Sequence, residues 1–373
     1  MLRKTGIAEL PLHYGRAPLW LVTRMKKLAN EIVTIIVDEY GRDELLWRLS
    51  NPVWFQALGC VLGYDWHSSG VTTVVTGVLK SVIKPEEHGL AVAGGKGKIS
   101  LQTPIEIGKI GDTFNLSTQQ IRSLIYASRM SAKVDNSAIQ AGYPLYHHAF
   151  FVAENGRWVV IQQGMNTEDK TARRYHWFSD HVKSFVNEPH DAIVGDLVKP
   201  NVLNMTARDS EECRKISTDL VKDGFEKVKR NFTSLRPTHQ RTLREWMCGE
   251  TVGKDYAVHV LSMPRNINWE ALKEAYEIQP RNYEELLSIR GIGPATVRGL
   301  ALVSEIIYGA PPSWKDPVRY SFCVGGKDGV PFPVNKLSYD KIIEALRDAV
   351  NKAKVGDRDR LNALRRLSNF WQT

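Results

Sequence analysis

His147 to Gly164, HHAFFVAENGRWVVIQQG, is the stretch that decides the fold class. Two apolar runs rich in aromatic and β-branched residues flank Glu154-Asn155-Gly156. An Asn-Gly step between such runs signals a β-hairpin, because both residues tolerate the positive φ that a tight turn needs. Side chains alternate along a strand, so His147 and His148 point to opposite faces, as do Gln162 and Gln163. At most one of each pair faces a given site.

The segments N-terminal to this hairpin have helical periodicity. Trp20 to Tyr40 carries Leu21, Met25, Leu28, Ile32, Ile35 and Ile36 on one side, and Gly41 ends it. A short helix follows over Asp43 to Leu49, and Asn51-Pro52 opens a third that runs to Gly63. Val71 to Ile83 reads as a further helix, Gly89 to Lys98 as a strand entering a Gly-Gly-Lys-Gly turn, and Ser117 as the cap of a helix to Met130. Beyond about residue 200 every patterned segment is helical: 209–230, 238–248, 269–275, 338–350 and 357–371. The expected fold is α+β, with a mixed domain over 1–200 and a helical domain over 201–373.

Within the second domain, residues 282–309, NYEELLSIRGIGPATVRGLALVSEIIYG, read as two helices joined by a Gly-Ile-Gly turn. Asn282 caps the first. Pro294 suits the first position of the second, where its missing N–H is not needed, and Gly309 closes it. Val297, Leu300, Ala301, Ile306 and Ile307 are expected to point inward. Gly291 and Gly293 can take positive φ, with Ile292 packed between them. The helix start then presents free N–H groups to an anion. Arg290 and Arg298 add charge. The pattern resembles the helix-hairpin-helix of DNA repair and replication proteins, which grips the sugar-phosphate backbone and positions rather than specifies.

Bulk properties fit this reading. A net charge of +9 over 373 residues suits a polyanion partner. Eight Lys/Arg face four acids from residue 341 onward, which suits another backbone contact. Cys60, Cys213, Cys248 and Cys323 form no C-x-x-C pair, which argues against a cysteine zinc site and for a reducing, cytoplasmic location. No apolar run is long enough to span a membrane, and no signal peptide is read.

Three polar constellations could carry chemistry. Around the hairpin lie Asp135, His147, His148, Gln162 and Gln163, where a carboxylate, an imidazole and an amide could hold Mg²⁺ or Mn²⁺ or orient a water. Asp65 and His67, in YDWHSSG, could act as acid/base or metal groups, and His13 could join either cluster. Lys96 and Lys327 stand in two Gly-Gly-Lys turns that suit a DNA-backbone clamp. Neither turn matches a P-loop, so no nucleotide cofactor is expected.

Several of these stretches together resemble the DUF763 family of archaeal and bacterial proteins. The resemblance rests on TGIAELPLHYG from Thr5, DWHSSG from Asp65, GGKG from Gly94, YHH from Tyr146, QQGMN from Gln162, RRYHW from Arg173 and GGKDG from Gly325. It implies one family domain over the N-terminal two thirds, with the helix-hairpin-helix appended to or built into its end, and no particular mechanism.

The expected function is a DNA-binding, DNA-processing or repair enzyme, nuclease-like, with Asp135, His147, His148, Gln163, Asp65 and His67 as catalytic candidates. Arg290, Gly291, Ile292, Gly293, Arg298, Lys96 and Lys327 would contact nucleic acid. A glycosylase of the helix-hairpin-helix type is one alternative, since Asp316 follows the hairpin at the spacing that superfamily uses. Pro294-Ala295 stands where its lyase branch has a lysine, so lyase chemistry there is excluded. A non-catalytic nucleic-acid-binding protein is the other alternative. DNA is the expected partner, and the pattern says nothing of oligomeric state.

Overall fold

A computed structural model describes residues 18–64, 70–195, 197–235, 263–319 and 336–372, with side chains of the last segment described over 343–367. Four helices lead. These are α1 (Leu19–Tyr40), α2 (Arg42–Ser50), α3 (Pro52–Leu62) and α4 (Gly70–Val82). Asn51 starts α3 as expected, its side chain accepting from the N–H groups of Val53 and Trp54 at 3.0 and 3.1 Å. A single turn, α5 (Pro85–His88), precedes the first strand, β1 (Leu90–Lys96). Then come α6 (Thr103–Thr113) and α7 (Thr118–Lys133), the latter opened by a Ser117–Gln120 capping box. One wide turn of π geometry, Val134–Ala138, leads from α7 into β2 (Ile139–Gln140).

The hairpin forms β3 (Leu145–Ala153) and β4 (Trp158–Asn166), and Gly156 takes φ +85° in its turn. It is the centre of a larger sheet. β5 (Thr171–Phe178), β6 (Ala192–Val194) and the separate β7 (Leu203–Asn204) complete the strands. The antiparallel order is β1-β3-β4-β5-β6, with β2 and β7 paired apart. The class is α+β.

Helices cover both faces of this sheet. One face carries Val92, Phe151, Val159, Ile161 and Phe178 against α1 to α4. The other carries Phe150, Val152, Val160, Tyr175 and Trp177 against α7 and the helices after residue 200. Those are α8 (Glu211–Lys222), α9 (Phe225–Ser234), α10 (Trp269–Ile278), α11 (Tyr283–Ser288) and α12 (Pro294–Tyr308). The single helical run expected over 209–230 is broken in two at Gly224, φ +127°. The last two helices, α13 (Lys336–Lys352) and α14 (Asp357–Gln372), return to the first face, where Leu346, Val350, Ala363 and Leu367 join the α1–α3 core. The other core runs without a break from Ala91 to Val318, across residue 200. Ile306 and Ile307, expected inside, are 48% and 43% exposed. Residues 299–304 of α12 are buried on every side, and the burial stops there because the last turn, with Ile306 and Ile307, runs out past the core.

The helix expected over 238–248 lies outside the described residues, as do His13, Asp65, His67, Lys327, Cys248 and Cys323.

Candidate nucleic-acid interface and buried polar network

The sheet's alternation divides the hairpin cluster in two. His148, Gln162 and Tyr175 form one cross-strand row; His147, Gln163 and Arg174 form the row behind it, on the other face. The chemistry of the two rows differs.

On the His148 face the polar groups form one buried chain. Gln162 Nε2 donates to the Ser131 carbonyl at 2.9 Å and also to Asp135. Its amide oxygen is therefore turned to His148 Nδ1 at 2.7 Å, which must carry the proton. His148 Nε2 is then left to accept from the Ser128 hydroxyl at 2.9 Å. Burial favours this neutral imidazole by holding its pKa below the ordinary value. At the far end, the Asp135 carboxylate also accepts from Trp177 Nε1 at 3.0 Å and from His190 Nε2. Asp135 is 1% exposed and has three N–H donors. The local cause is the π turn, which sets Asp135 under the sheet rather than on the next turn of α7. Asp135 and His148 are thus joined through Gln162.

The opposite face is less complete. Thr76 donates its hydroxyl to the Thr72 carbonyl at 2.7 Å, so at the 2.9 Å contact with His147 it is Nε2 that donates. His147 Nδ1 is left as a bare, buried acceptor with no partner. Burial, with His148 and Lys96 adding to it, pushes this imidazole down to about 3. Beside it Gln163 accepts from Thr72 and donates to the Tyr146 hydroxyl. Burial pushes Tyr146 up to about 12, and the Lys96 amine stands over its ring at 5.9 Å. The Gly94-Gly95-Lys96 turn already holds an anion of the chain's own: Gly94 N–H donates to Glu106 at 2.6 Å, and Lys80 neutralises that carboxylate at 2.8 Å.

Among the described residues no group of three or more His, Cys, Asp and Glu side chains is placed to hold a metal ion. The lone pairs a divalent ion would need on Asp135 face N–H donors instead, and both His148 nitrogens are engaged. The described residues of this cluster do not fit Mg²⁺ or Mn²⁺.

The helix–turn–helix over 282–309 forms as its sequence suggests. Asn282 caps α11 by accepting from Glu285 N–H at 2.9 Å. Gly291 takes φ +87°, and a Cβ there would stand 2.7 Å from the Asn268 amide and 2.8 Å from Ala271. Gly293 differs from expectation. Its φ is −112°, inside the range any residue adopts, and the nearest atom to an added Cβ is 4.0 Å away. Ile292 is buried, Pro294 opens α12, and the first N–H groups of that helix have no carbonyl one turn back to receive them. Arg290 is exposed, whereas Arg298 is half-buried with its guanidinium 5.3 Å from the Trp314 ring. The turn docks on the segment that bears Asp135. Lys133 Nζ donates to the Ile289 carbonyl at 3.1 Å, and Gln140 to the Pro294 carbonyl at 2.8 Å.

The Asp316 side chain is fully buried. It accepts from Arg173 at 2.7 Å, from the Lys199 N–H at 2.8 Å and from the Val318 N–H at 3.1 Å. It ties β5 to the segment after α12.

Among the described residues, four of the stretches that carry the family resemblance meet in space: GGKG at the end of β1, YHH in β3, QQGMN in β4 and RRYHW in β5, four adjacent strands. A family model described as a protein of unknown function (DUF763) matches residues 6–334. The chain belongs to the DUF763 family. No curated protein and no solved structure matches it. The DUF763 match takes in the turn at 288–294, so the turn is part of the family region rather than an appendage. Ser128, Thr72, Thr76 and His190 were not picked out from sequence, and Trp177 entered only as the end of RRYHW. Each is an ordinary residue in its own segment, and only the strand order brings it to the cluster.

Proposed function

We propose that this protein is a DNA-binding protein that grips the phosphate backbone at the Arg290–Gly293 turn and serves a DNA-processing reaction. The observation that carries the reading is the geometry of the turn. Gly291 takes the left-handed conformation, Ile292 anchors the loop in the core, Arg290 just before them is exposed, and α12 starts at Pro294 with no side-chain cap. A helix N-terminus with its dipole and first N–H donors, four residues on in sequence from an exposed arginine, suits a phosphate and not a base. The net charge of +9 favours the same partner. Processing is assigned to the His147 face. A bare Nδ1 lone pair, the Tyr146 hydroxyl and the Lys96 ammonium lie together there, whereas the Asp135 carboxylate is engaged by its donors. The glycosylase reading loses support, because the Asp316 carboxylate has three partners and its side chain no exposure.

Gly293→Ala with Arg290→Ala tests the reading without straining the fold. The added methyl meets open space within the protein and stands where a phosphate oxygen would approach. Losing the guanidinium and one charged hydrogen bond should weaken duplex binding by roughly ten- to a hundredfold. The loss should be alike across sequences, and the salt dependence should become shallower by about one. A folded double variant with wild-type affinity would sink the proposal. Nucleolytic turnover, with and without Mg²⁺ or Mn²⁺, should be lost in His147→Ala and retained in the Arg290/Gly293 double variant at saturating DNA.

A further inference from the structure

On the face of the sheet opposite the Arg290–Gly293 turn, α1 and α14 form the walls of a groove of about 1230 Å³, with the ends of α3 and α4 as its floor. This is above the roughly 300–1,000 Å³ of a small-molecule site. Seven lysine and arginine side chains line it against two carboxylates, Glu31 and Asp359. Both carboxylates are engaged. Asp359 pairs with Arg24 across the groove at 3.7 Å, and Glu31 accepts the Lys354 N–H at 2.9 Å. Among the described residues Lys26, Lys27 and Arg358 are exposed and form no ion pair. Arg366 donates twice to the Val61 carbonyl, at 2.8 and 3.2 Å, which fixes its guanidinium at the floor. Beside it the floor carries apolar Leu62 and Val82 with Ser81, and Leu28 of α1 adjoins them. At the mouth stands Trp20, 62% exposed, with the Arg24 guanidinium 5.6 Å from its ring centroid.

We propose that this groove takes single-stranded nucleic acid, the phosphates tracking Lys26, Lys27 and Arg358 and a base stacking on Trp20. Cationic walls, a partly apolar floor and an exposed indole are the combination that binds unpaired strands, since stacking needs a free base face. A base within a duplex has none. A membrane surface would require the cations and the indole on a flat or convex face, and here they line a concavity. The inference rests on the nucleic-acid reading above and extends it to strand type: the turn holds duplex backbone on one side of the sheet, and the groove holds unpaired strand on the other.

The test uses the full chain, a labelled oligothymidine, a labelled duplex and phosphatidylserine vesicles. Trp20→Ala should weaken oligothymidine binding by about tenfold, the order of one lost base–indole stack. The triple variant Lys26→Gln, Lys27→Gln, Arg358→Gln should weaken it further and lower the salt slope by about two. Both should bind duplex as wild type does. Gly293→Ala with Arg290→Ala should do the reverse. If the groove variants, shown folded by circular dichroism, hold oligothymidine as tightly as wild type, the groove is not the site. Loss of vesicle binding with unchanged oligothymidine affinity would overturn it in favour of a lipid surface. An Arg290/Gly293 double variant that loses duplex binding while the groove variants lose nothing removes this inference alone. A wild-type chain that binds neither nucleic acid removes both.

Discussion

Asp135 shows how a residue can be found for one reason and held for another. In the sequence it is a lone acid between a helix and a β-hairpin, close to two histidines and two glutamines, which suggested a metal or an activated water. In the fold its partners lie 27, 42 and 55 residues away in sequence, so no local pattern could name them. Asp135→Asn would set an NH₂ against N–H donors in a site without water access. Leaving a buried donor unsatisfied costs about 1–3 kcal/mol, more where a charge is involved. The expected outcome is a fall in the urea midpoint with no specific loss of DNA affinity in the folded fraction. Wild-type stability in this variant would show that the network does not brace the core.

The buried histidines give the stability a pH dependence of definite sign. His147, His148 and His176 are all held below the ordinary histidine value by burial, His147 at about 3. The unfolded chain takes up protons near pH 6.5 that the folded chain does not. Their contribution is therefore complete above about pH 6.5 and is lost as pH falls toward 3. Urea midpoints should be level above about pH 7 and decline steadily below 6, and His147→Gln should make the decline shallower. A level midpoint down to about pH 4 would contradict the assignment of these imidazoles as neutral.

At the scale of elements, legibility followed how well a segment's pattern matched one structural period. α1, α3, α7 and the β3–β4 hairpin carry caps, turn residues and clean periodicity, and their sequence spans agree with the structure to within a few residues. β5 was not read as a strand. Its eight residues, TARRYHWF, are all buried, yet four of the middle ones are Arg, Arg, Tyr and His. A strand covered on both faces loses the polar–apolar alternation that marks a half-exposed one, and here buried cations remove the apolar run as well. The Gly-Ile-Gly turn was legible, except that its two glycines are not equivalent. Gly291→Ala must adopt φ +87° and displace Asn268 or Ala271, so it should lower stability by about 1–2 kcal/mol or more. Gly293→Ala should leave stability within about 0.5 kcal/mol, as an unstrained exposed change does. Equal melting temperatures for the two single variants would refute this ordering.

For the whole molecule, the feature with the widest reach is the return of α13 and α14 to the α1–α3 layer. Lys352 pairs with Glu39 at 2.8 Å across 313 residues of chain, and Leu346, Val350, Ala363 and Leu367 fill the layer's core. Each of the three Leu and Val side chains contributes about 1.5–3 kcal/mol on burial, so together they are comparable to the net stability of an ordinary domain, about 5–15 kcal/mol. A chain ending at residue 319 should therefore be readily cleaved within α1 to α4 by a nonspecific protease, while α7 and the helices on the other face stay protected. Uniform protection of the shortened chain would disprove it. No periodicity announces this arrangement. The two helices read as amphipathic, and nothing in their pattern names the partner some 300 positions earlier. The return also orders events during synthesis. A ribosome releases α1 to α4 long before it makes α13, so the first-made helices wait with an open apolar face until the last-made ones arrive. Such non-local closure is slow in proportion to the chain it spans. The nascent protein should accordingly depend on a holding chaperone at its N-terminal layer rather than at the sheet, which can pair its central strands as soon as residue 178 has emerged.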